Sequence, residues 1–600
     1  MNHRCEHTVI PTSFGALGLV ASLVVLGASS GHAQIIRGNS PAPAAVPTAG
    51  PDTLAPPIER ARRAQADFER LRRMTLPDYR GPRSGNCDER VGMWCYWYDE
   101  KSTMPTEPPE VASRRRGLIA RLDSLASLSP EDQWILAQRI RYLTEDKRPA
   151  EAVAAARACP GGTWWCDVML GFALHMSGEY FSADSVYELG VAKMLPRDQC
   201  AWRDISQLLD PDALQTYRRT PCGDAKRREF EDRAWFYART LYLMHGNDSR
   251  TEYFARMTMV LMLRDSGTPH QNGFSDDERE LMMRFGWPTA WAKQSQPTRG
   301  GGPAFSIVSH EPVPAYRYIP AGFVLNNPAV SDSADWRLQL PPVIGRYAPP
   351  YAKTFRALEH QRAMFRRGDT AVVMVAYDAK DVAELAGESV EAGLTVSPGD
   401  RPRSFQARKS GGAAAGILTV KAPWGPLIMS AEVAAPAKSV VARARYGISP
   451  PYAVGTRVSL SDLLFFKPFG SFPTTAEEAI PHALPTERVM ANQKLGVFWE
   501  AYNTNPEGEQ MDISLVVARD TDNDPAMLRR GIRALRGARE VTPVSVSVKD
   551  MSALGKPTSA RAIELDISTL PKGMYVVQLE VSVAGQYVIR ADHRIEIIGP

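Results

Sequence analysis

The sequence predicts an α + β multidomain protein: an N-terminal α-helical repeat region followed by a C-terminal antiparallel β-sandwich. Three observations predict it. From about residue 112 to 265 apolar residues recur at helical spacing, and the segments come in pairs. After Gly368-Asp369 the period becomes two, and turn-rich spacers separate short apolar runs. At 600 residues the chain is too long for one hydrophobic core, so two to four domains are expected. The balance of 71 basic and 67 acidic residues leaves +4, a mixed surface without the concentrated basic face that phosphate backbones require. No nucleic-acid partner is therefore expected. The densest basic run, Arg114-Arg115-Arg116, precedes Leu118, Ile119, Leu122 and Leu125 and suits the solvated start of a helix.

In chain order, residues 1–33 follow the export pattern. A short region carrying Arg4 leads into the apolar stretch Phe14 to Gly27, and Gly31 and Ala33 fall at the −3 and −1 places of a cut before Gln34. The stretch is shorter than the ~20 residues that span a bilayer, and no later segment is longer, so no integral span is expected after cleavage. Residues 34–57, rich in Pro and Ala, form an extended tether. Residues 58–265 are expected to be a disulfide-clamped helical domain, opening on a charged helix from Ile58 to Met74.

Cysteines support the oxidising compartment. Apart from Cys5, all six lie in sequence-local pairs: Cys87 and Cys95, Cys159 and Cys166, Cys200 and Cys222. Nearest-neighbour disulfides are the expected pairing; zinc is the alternative, but no C-x₂-C spacing or histidine cluster accompanies them. The first pair frames Trp94, Tyr96, Trp97 and Tyr98. These aromatics suit the core of a clamped loop, with a binding surface as the alternative.

The most legible helical unit runs from Trp164 to Pro196. Leu170-Gly171, Ala183, Tyr187, Gly190 and Pro196 occupy nearly the places of a tetratricopeptide repeat, where small residues let two antiparallel helices approach. The flanking units are poorer in those positions, so a short degenerate array is expected, a type of scaffold that carries no chemistry of its own. Residues 266–367 look like a Gly/Pro-rich connecting region, closed by a last helix from Phe355 to Arg367. Residues 368–450 and 451–600 then form two parts of a sandwich. Candidate strands are 371–377, 416–420, 427–434, 439–446, 495–502, 513–518, 544–549, 562–567, 574–583 and 587–597. In the last pair Tyr575, Val577, Leu579, Val581 and Val583 alternate inward before a Gly585-Gln586 turn, as in the closing hairpin of immunoglobulin-like domains.

The motifs of common catalytic sites are absent: no H-E-x-x-H, no G-x-S-x-G, no P-loop. No catalytic residue, cofactor or metal is therefore expected. Weaker constellations remain. His245-Gly246-Asn247-Asp248 offers a base beside a carboxylate, and equally a helix end followed by an N-capped helix. Asp276-Asp277-Glu278 suits either a cation or an acidic first helical turn. Trp287 and Trp291, four apart, suit sugar stacking or the packing of a seam between the helical and β regions. His310-Glu311 sits between prolines, and Gly300-Gly301-Gly302 suits a flexible connector.

Laid out this way, the chain resembles the GWxTD-domain family of exported bacterial proteins, named for Gly-Trp-x-Thr-Asp. The matching stretch here is Gly286-Trp287-Pro288-Thr289-Ala290, without the final Asp. Phe365-Arg366-Arg367-Gly368-Asp369, Ser459-Leu460-Ser461-Asp462-Leu463-Leu464 and Phe498-Trp499-Glu500-Ala501-Tyr502-Asn503 are similar to that family's later region. The resemblance implies export and this architecture, and supplies no catalytic residue. The expected function is a non-enzymatic envelope protein, in the periplasm or beyond it, that docks another envelope protein. A hydrolase or carbohydrate-binding protein with its site at 245–311 is the alternative. The sequence sets no oligomeric state.

Overall fold

The computed structural model describes residues 55–79, 88–92, 94–96, 104–271, 273–296, 304–309, 316–338, 344–399, 403–450, 457–520 and 543–599. The expected signal peptide, most of the tether, Cys87, the Cys95 side chain, Trp97, Tyr98, the 300–302 glycines and His310-Glu311 lie outside the described residues.

Helices come first: α1 (Pro57–Thr75), α2 (Pro109–Leu128), α3 (Gln133–Glu145), α4 (Pro149–Arg157), α5 (Trp164–Met176) and α6 (Tyr180–Ala192). They are followed by α7 (Pro196–Arg203), α8 (Pro211–Arg219), α9 (Ala225–Ala238), α10 (Asp248–Arg264) and α11 (Asp276–Phe285). Their starts are written locally. Proline stands at the beginning of α1, α2, α4, α7 and α8, where its missing N–H costs nothing. Asp132, Thr163 and Asn247 accept backbone N–H bonds at the starts of α3, α5 and α10. Ser275 and Glu278 form a reciprocal capping box on α11, which accounts for the acidic run 276–278.

The α5–α6 hairpin packs as the small residues predict. A Cβ added to Gly171 would sit 2.9 Å from the Tyr187 ring, and one on Gly190 would sit 3.0 Å from the Asp167 Cβ. Two disulfides form within this layer, Cys159–Cys166 across the α4–α5 turn and Cys200–Cys222 between α7 and the segment after α8. Helix α10 is buried along nearly its whole length, against α3, α5, α6, α9 and α11.

Small ribbons accompany the helices: β1 (Glu89–Val91) with β2 (Trp94–Tyr96), β3 (Ala292–Gln296) with β4 (Ala304–Val308), and β5 (Tyr316–Arg317) with β6 (Arg346–Tyr347). The helical core runs on through Tyr318, Leu325, Trp336 and Tyr347, so much of the connecting region belongs to it.

Strands then take over with β7 (Thr354–Ala357), β8 (Glu359–Arg367), β9 (Thr370–Asp378), β10 (Val390–Pro398), β11 (Phe405–Gly412), β12 (Ala415–Pro423), β13 (Leu427–Ala435) and β14 (Val440–Ile448). They form one sheet in the order β11-β10-β13-β14-β7 and another in the order β12-β9-β8, and side chains of both fill one core. The last part holds β15 (Ser459–Leu460), β16 (Leu464–Phe466), β17 (Arg488–Met490), β18 (Lys494–Tyr502), β19 (Gln510–Arg519), β20 (Val544–Met551), β21 (Thr558–Asp566), β22 (Gly573–Val583) and β23 (Ile589–Ile598). Here β18 carries β15, β16 and β21, facing the sheet β17-β23-β22-β19-β20 across a shared core. Pairing is antiparallel except for β7 on β14 and β17 on β23.

One expected element is corrected. Residues 355–367 are strands β7 and β8, not a helix, so the sheet region begins at Thr354 and not at 368. Ala363 and Phe365 pack into one core while Leu358 and Met364 pack into the other. With both faces buried, β8 loses the alternation that marks a strand, and the Ala, Leu, Glu, Gln and Met residues of 355–367 favour a helix until tertiary pairing overrides them. Strands β10 and β11, and the short β15, β16 and β17, are not among the expected ones.

Two outcomes follow from this packing. Gly171→Ala should cost about 1–3 kcal/mol in urea unfolding, because the new methyl meets the Tyr187 ring. Replacing both Cys200 and Cys222 by Ser should cost about 3 kcal/mol, and a thiol count on the unreduced protein should find neither free.

Candidate binding cleft between the helices and the first sheet

An open cleft of about 480 Å³ lies where α6, α9 and the start of α10 meet β11. Its floor is the segment from Arg239 to Asn247, which leaves α9 and enters α10. Gly246 is required there: its φ is +94°, and a Cβ would lie 2.4 Å from the backbone N of Phe181. This approach brings His245 onto the Phe181 ring, with centroids 4.6 Å apart and the planes 28° from parallel. Both side chains are exposed, Phe181 at 55%.

Charge in the cleft divides into paired and unpaired groups. Arg250 is bound by Asp184 at 2.6 Å and Glu188 at 3.2 Å. Burial pushes the Asp184 carboxyl above its ordinary value despite the Arg250 guanidinium beside it. Arg408 of β11 donates instead to the carbonyls of Leu243 and Tyr242, at 3.0 and 2.9 Å, and Arg239 donates to that of Met244 at 2.7 Å. Both guanidinium groups grip neutral carbonyls and make no direct ion pair among the described residues, although Asp184 and Asp232 also line the cleft, so arginines and carboxylates stand beside an aromatic shelf.

His245 and Asp248 are not brought together as a base and its orienting carboxylate. Asp248 is fully buried on the inner face of α10, where its Oδ2 accepts from the Tyr351 hydroxyl at 2.7 Å. Its Oδ1 and the nearby Tyr347 hydroxyl are buried without a well-aligned hydrogen bond. Burial raises the Asp248 pKa, against the opposing Tyr351 and Tyr347 hydroxyls. The segment before α10 is irregular and not a helix end, since α9 stops at Ala238.

Along the same inner face runs a buried polar chain. His175 of α5 bonds to Thr251 Oγ1 and Glu252 Oε2, both at 2.9 Å. Arg256 donates to Glu252 Oε1 at 2.7 Å and to the carbonyls of Met283 and Arg346. Burial alone would raise the Glu252 pKa, but Arg256 and His175 outweigh it and hold the carboxyl at about 2.

The other expected residues are placed as packing. Trp94 meets the His270 ring at 4.5 Å, and Tyr96 stacks on Phe285 at 4.1 Å. Trp291 lies under Arg72 at 5.3 Å, also against His270. Trp287 packs on Phe172 at the edge of the helical core. The two tryptophans have separate neighbours and form no shared platform. Among the described residues no group of three His, Cys, Asp or Glu is placed to hold a metal ion, and no helix is long and apolar enough to cross a membrane. Sequence reasoning missed Phe181 and Arg408. Phe181 left a signal: Tyr180, Ala183, Tyr187 and Gly190 are the buried stripe of α6, and Phe181 stands off it.

The pH dependence of stability should carry the sign of Glu252. A carboxyl whose pKa falls from 4.5 unfolded to about 2 folded contributes stability that is full above 4.5 and lost as pH drops toward 2, about 3 kcal/mol in all. Glu252→Gln should remove that slope in urea melts at pH 5 and pH 2.5, and lower stability at pH 7. Asp248→Asn should act oppositely at pH 7, holding or raising stability, because the raised folded pKa means that burial disfavours the charge.

No family model matches the chain, and no curated protein matches it. Among solved structures it is similar to Bacteroides uniformis beta-glucuronidase, with 10% identity, covering 38% of this chain and 26% of that one, at a TM-score of 0.16. It is also similar to red sea bream transglutaminase, with 9% identity, covering 54% of this chain and 43% of that one, at 0.14. The chain spans less than half the length of either, and likenesses at these TM-scores carry no argument about fold or activity.

Proposed function

We propose that the protein is an exported, non-enzymatic cell-envelope protein that docks a partner protein in the cleft between its helices and first sheet. One observation carries this reading: the cleft offers a stacked Phe181–His245 pair beside Arg408 and Arg239, which bond to backbone carbonyls, while Asp248, the carboxylate nearest His245 in sequence, is buried and bonded to Tyr351. An exposed aromatic flanked by guanidinium groups is the composition of binding hot spots. A histidine without an orienting carboxylate is poorly prepared as a general base.

Other features fit the same reading. The α5–α6 hairpin, with its close contacts at Gly171 and Gly190, is taken as a degenerate tetratricopeptide-like unit, and the two paired-sheet cores as immunoglobulin-like β-sandwiches. Two disulfides are compatible with export. The resemblance to the GWxTD-domain family suggests the periplasm or envelope. Within it Gly286, at φ +91°, ends α11, and Trp287 turns into the helical core.

Affinity capture from envelope extracts with the mature protein should recover a stoichiometric partner. Phe181→Ala, an exposed position whose loss leaves the core intact, should lower the affinity about tenfold. Blank capture, together with a hydrolytic activity abolished by His245→Ala, would overturn the reading in favour of an enzyme.

A further inference from the structure

A second cavity lies behind the cleft, between the end of α9, the Arg317–Leu338 segment and β14. Arg239 borders both. Five arginines line it, Arg239, Arg317, Arg337, Arg443 and Arg445, against one carboxylate, Asp335.

The nearby acids neutralise only part of this group. Buried Glu432 pairs with Arg445 at 3.1 Å and also accepts from the N–H groups of Tyr242 and Leu243 and from Ser430 Oγ, so its charge is spent on Arg445. An Asp335 oxygen accepts from the Asp332 backbone N–H at 2.9 Å. Arg443 donates to two neutral carbonyls, Thr240 and Trp336, both at 2.8 Å. Burial, reinforced by the Arg445 charge, holds the Arg443 guanidinium down to about 9, a sign of positive charge without an anion. The guanidinium groups of Arg317 and Arg337 make no hydrogen bond or ion pair among the described residues. The Arg443 charge is desolvated, which is costly without an anion, and the half-buried Arg317 and exposed Arg337 at the same cavity offer planar guanidinium groups that match the oxygens of phosphate or carboxylate.

Size narrows the ligand. The cavity admits the centres of water-sized atoms over about 20 Å³, more than the roughly 10–15 Å³ needed for one water. That enclosed space takes one or two oxygen atoms, so an oxyanion would seat part of itself there and leave the rest in the open mouth; it is too small for a nucleoside or a sugar ring.

We propose that this arginine-lined cavity binds a phosphate-type oxyanion, as the free ion or as the phosphoryl end of a larger ligand whose remainder leaves past Arg317 and Arg337. The proposal does not depend on the docking role of the cleft. Calorimetric titration of the full chain with inorganic phosphate should give saturable binding near one site per chain, with a matching rise in melting temperature. Acetate and chloride at the same ionic strength should give neither. Arg317→Gln combined with Arg337→Gln removes two guanidinium groups that have no partner among the described residues and should weaken phosphate binding at least about tenfold. Methyl phosphate separates the two sources: binding as tight as inorganic phosphate assigns the site to a phosphoryl end, and exclusion assigns it to the free ion. No saturable heat with phosphate, a melting shift that acetate reproduces, or equal binding by the double variant would each overturn the proposal.

Discussion

The helical layer and the first sheet are held together around one buried carboxylate. Glu432 of β13, with its side chain 1% exposed, accepts the backbone N–H groups of Tyr242 and Leu243 and pairs with Arg445 of β14 at 3.1 Å. Arg445 then reaches the carbonyl of Arg239 and lies over the Tyr242 ring at 4.2 Å. A buried pair of this kind is weak evidence for added stability, because desolvation offsets attraction, but losing one partner would strand the other at a cost of about 3–5 kcal/mol. Its consequence is positional. The 239–247 segment is fixed against the sheet, and that placement opens the cleft on one side and the arginine cavity on the other. Leu241 and Leu243 add an apolar contact with Val441 and Ala434 around the polar pair.

Helix α10 does the corresponding work inside the helical layer. Its buried His175–Glu252–Arg256 chain ends on the carbonyls of Met283 and Arg346, so it ties α5 to the end of α11 and to β6. A partly satisfied network would be worse than an apolar core. Here both Glu252 oxygens and three of the Arg256 donor contacts are placed, which makes the chain a means of specifying one arrangement of segments that are distant in sequence.

How far the sequence revealed this depended on how local each signal was. The α5–α6 hairpin could be read because Gly171, Ala183, Tyr187 and Gly190 act within 20 residues of each other, and both observed disulfides close short loops. Strand β22 could be read because one face is buried and the other is not. Strand β8, buried on both faces, and β11, mostly exposed, have no such contrast, and the sequence of β8 reads as helix. The His245 region stands out in the sequence and Asn247 caps α10 as one reading of it expects, but the partner of Asp248, Tyr351, lies 103 positions away. The five arginines of the cavity come from residues 239 to 445 and could not be grouped before the fold was known.

Arg408, Arg443 and Arg445 hold the helical layer through the carbonyls of Arg239, Thr240, Tyr242 and Leu243, and Glu432 holds it through two backbone N–H groups. Every residue except proline offers the same backbone groups. The polar half of the joint is therefore recorded on the sheet side alone. A side chain that keeps off the joint, such as the exposed His245, can drift over evolutionary time and retune what the cleft displays, while Leu241, Tyr242 and Leu243 stay tied by their buried contacts with the sheet. The sheet's arginines and Glu432 have no such freedom, and substitution there would be felt at both openings together.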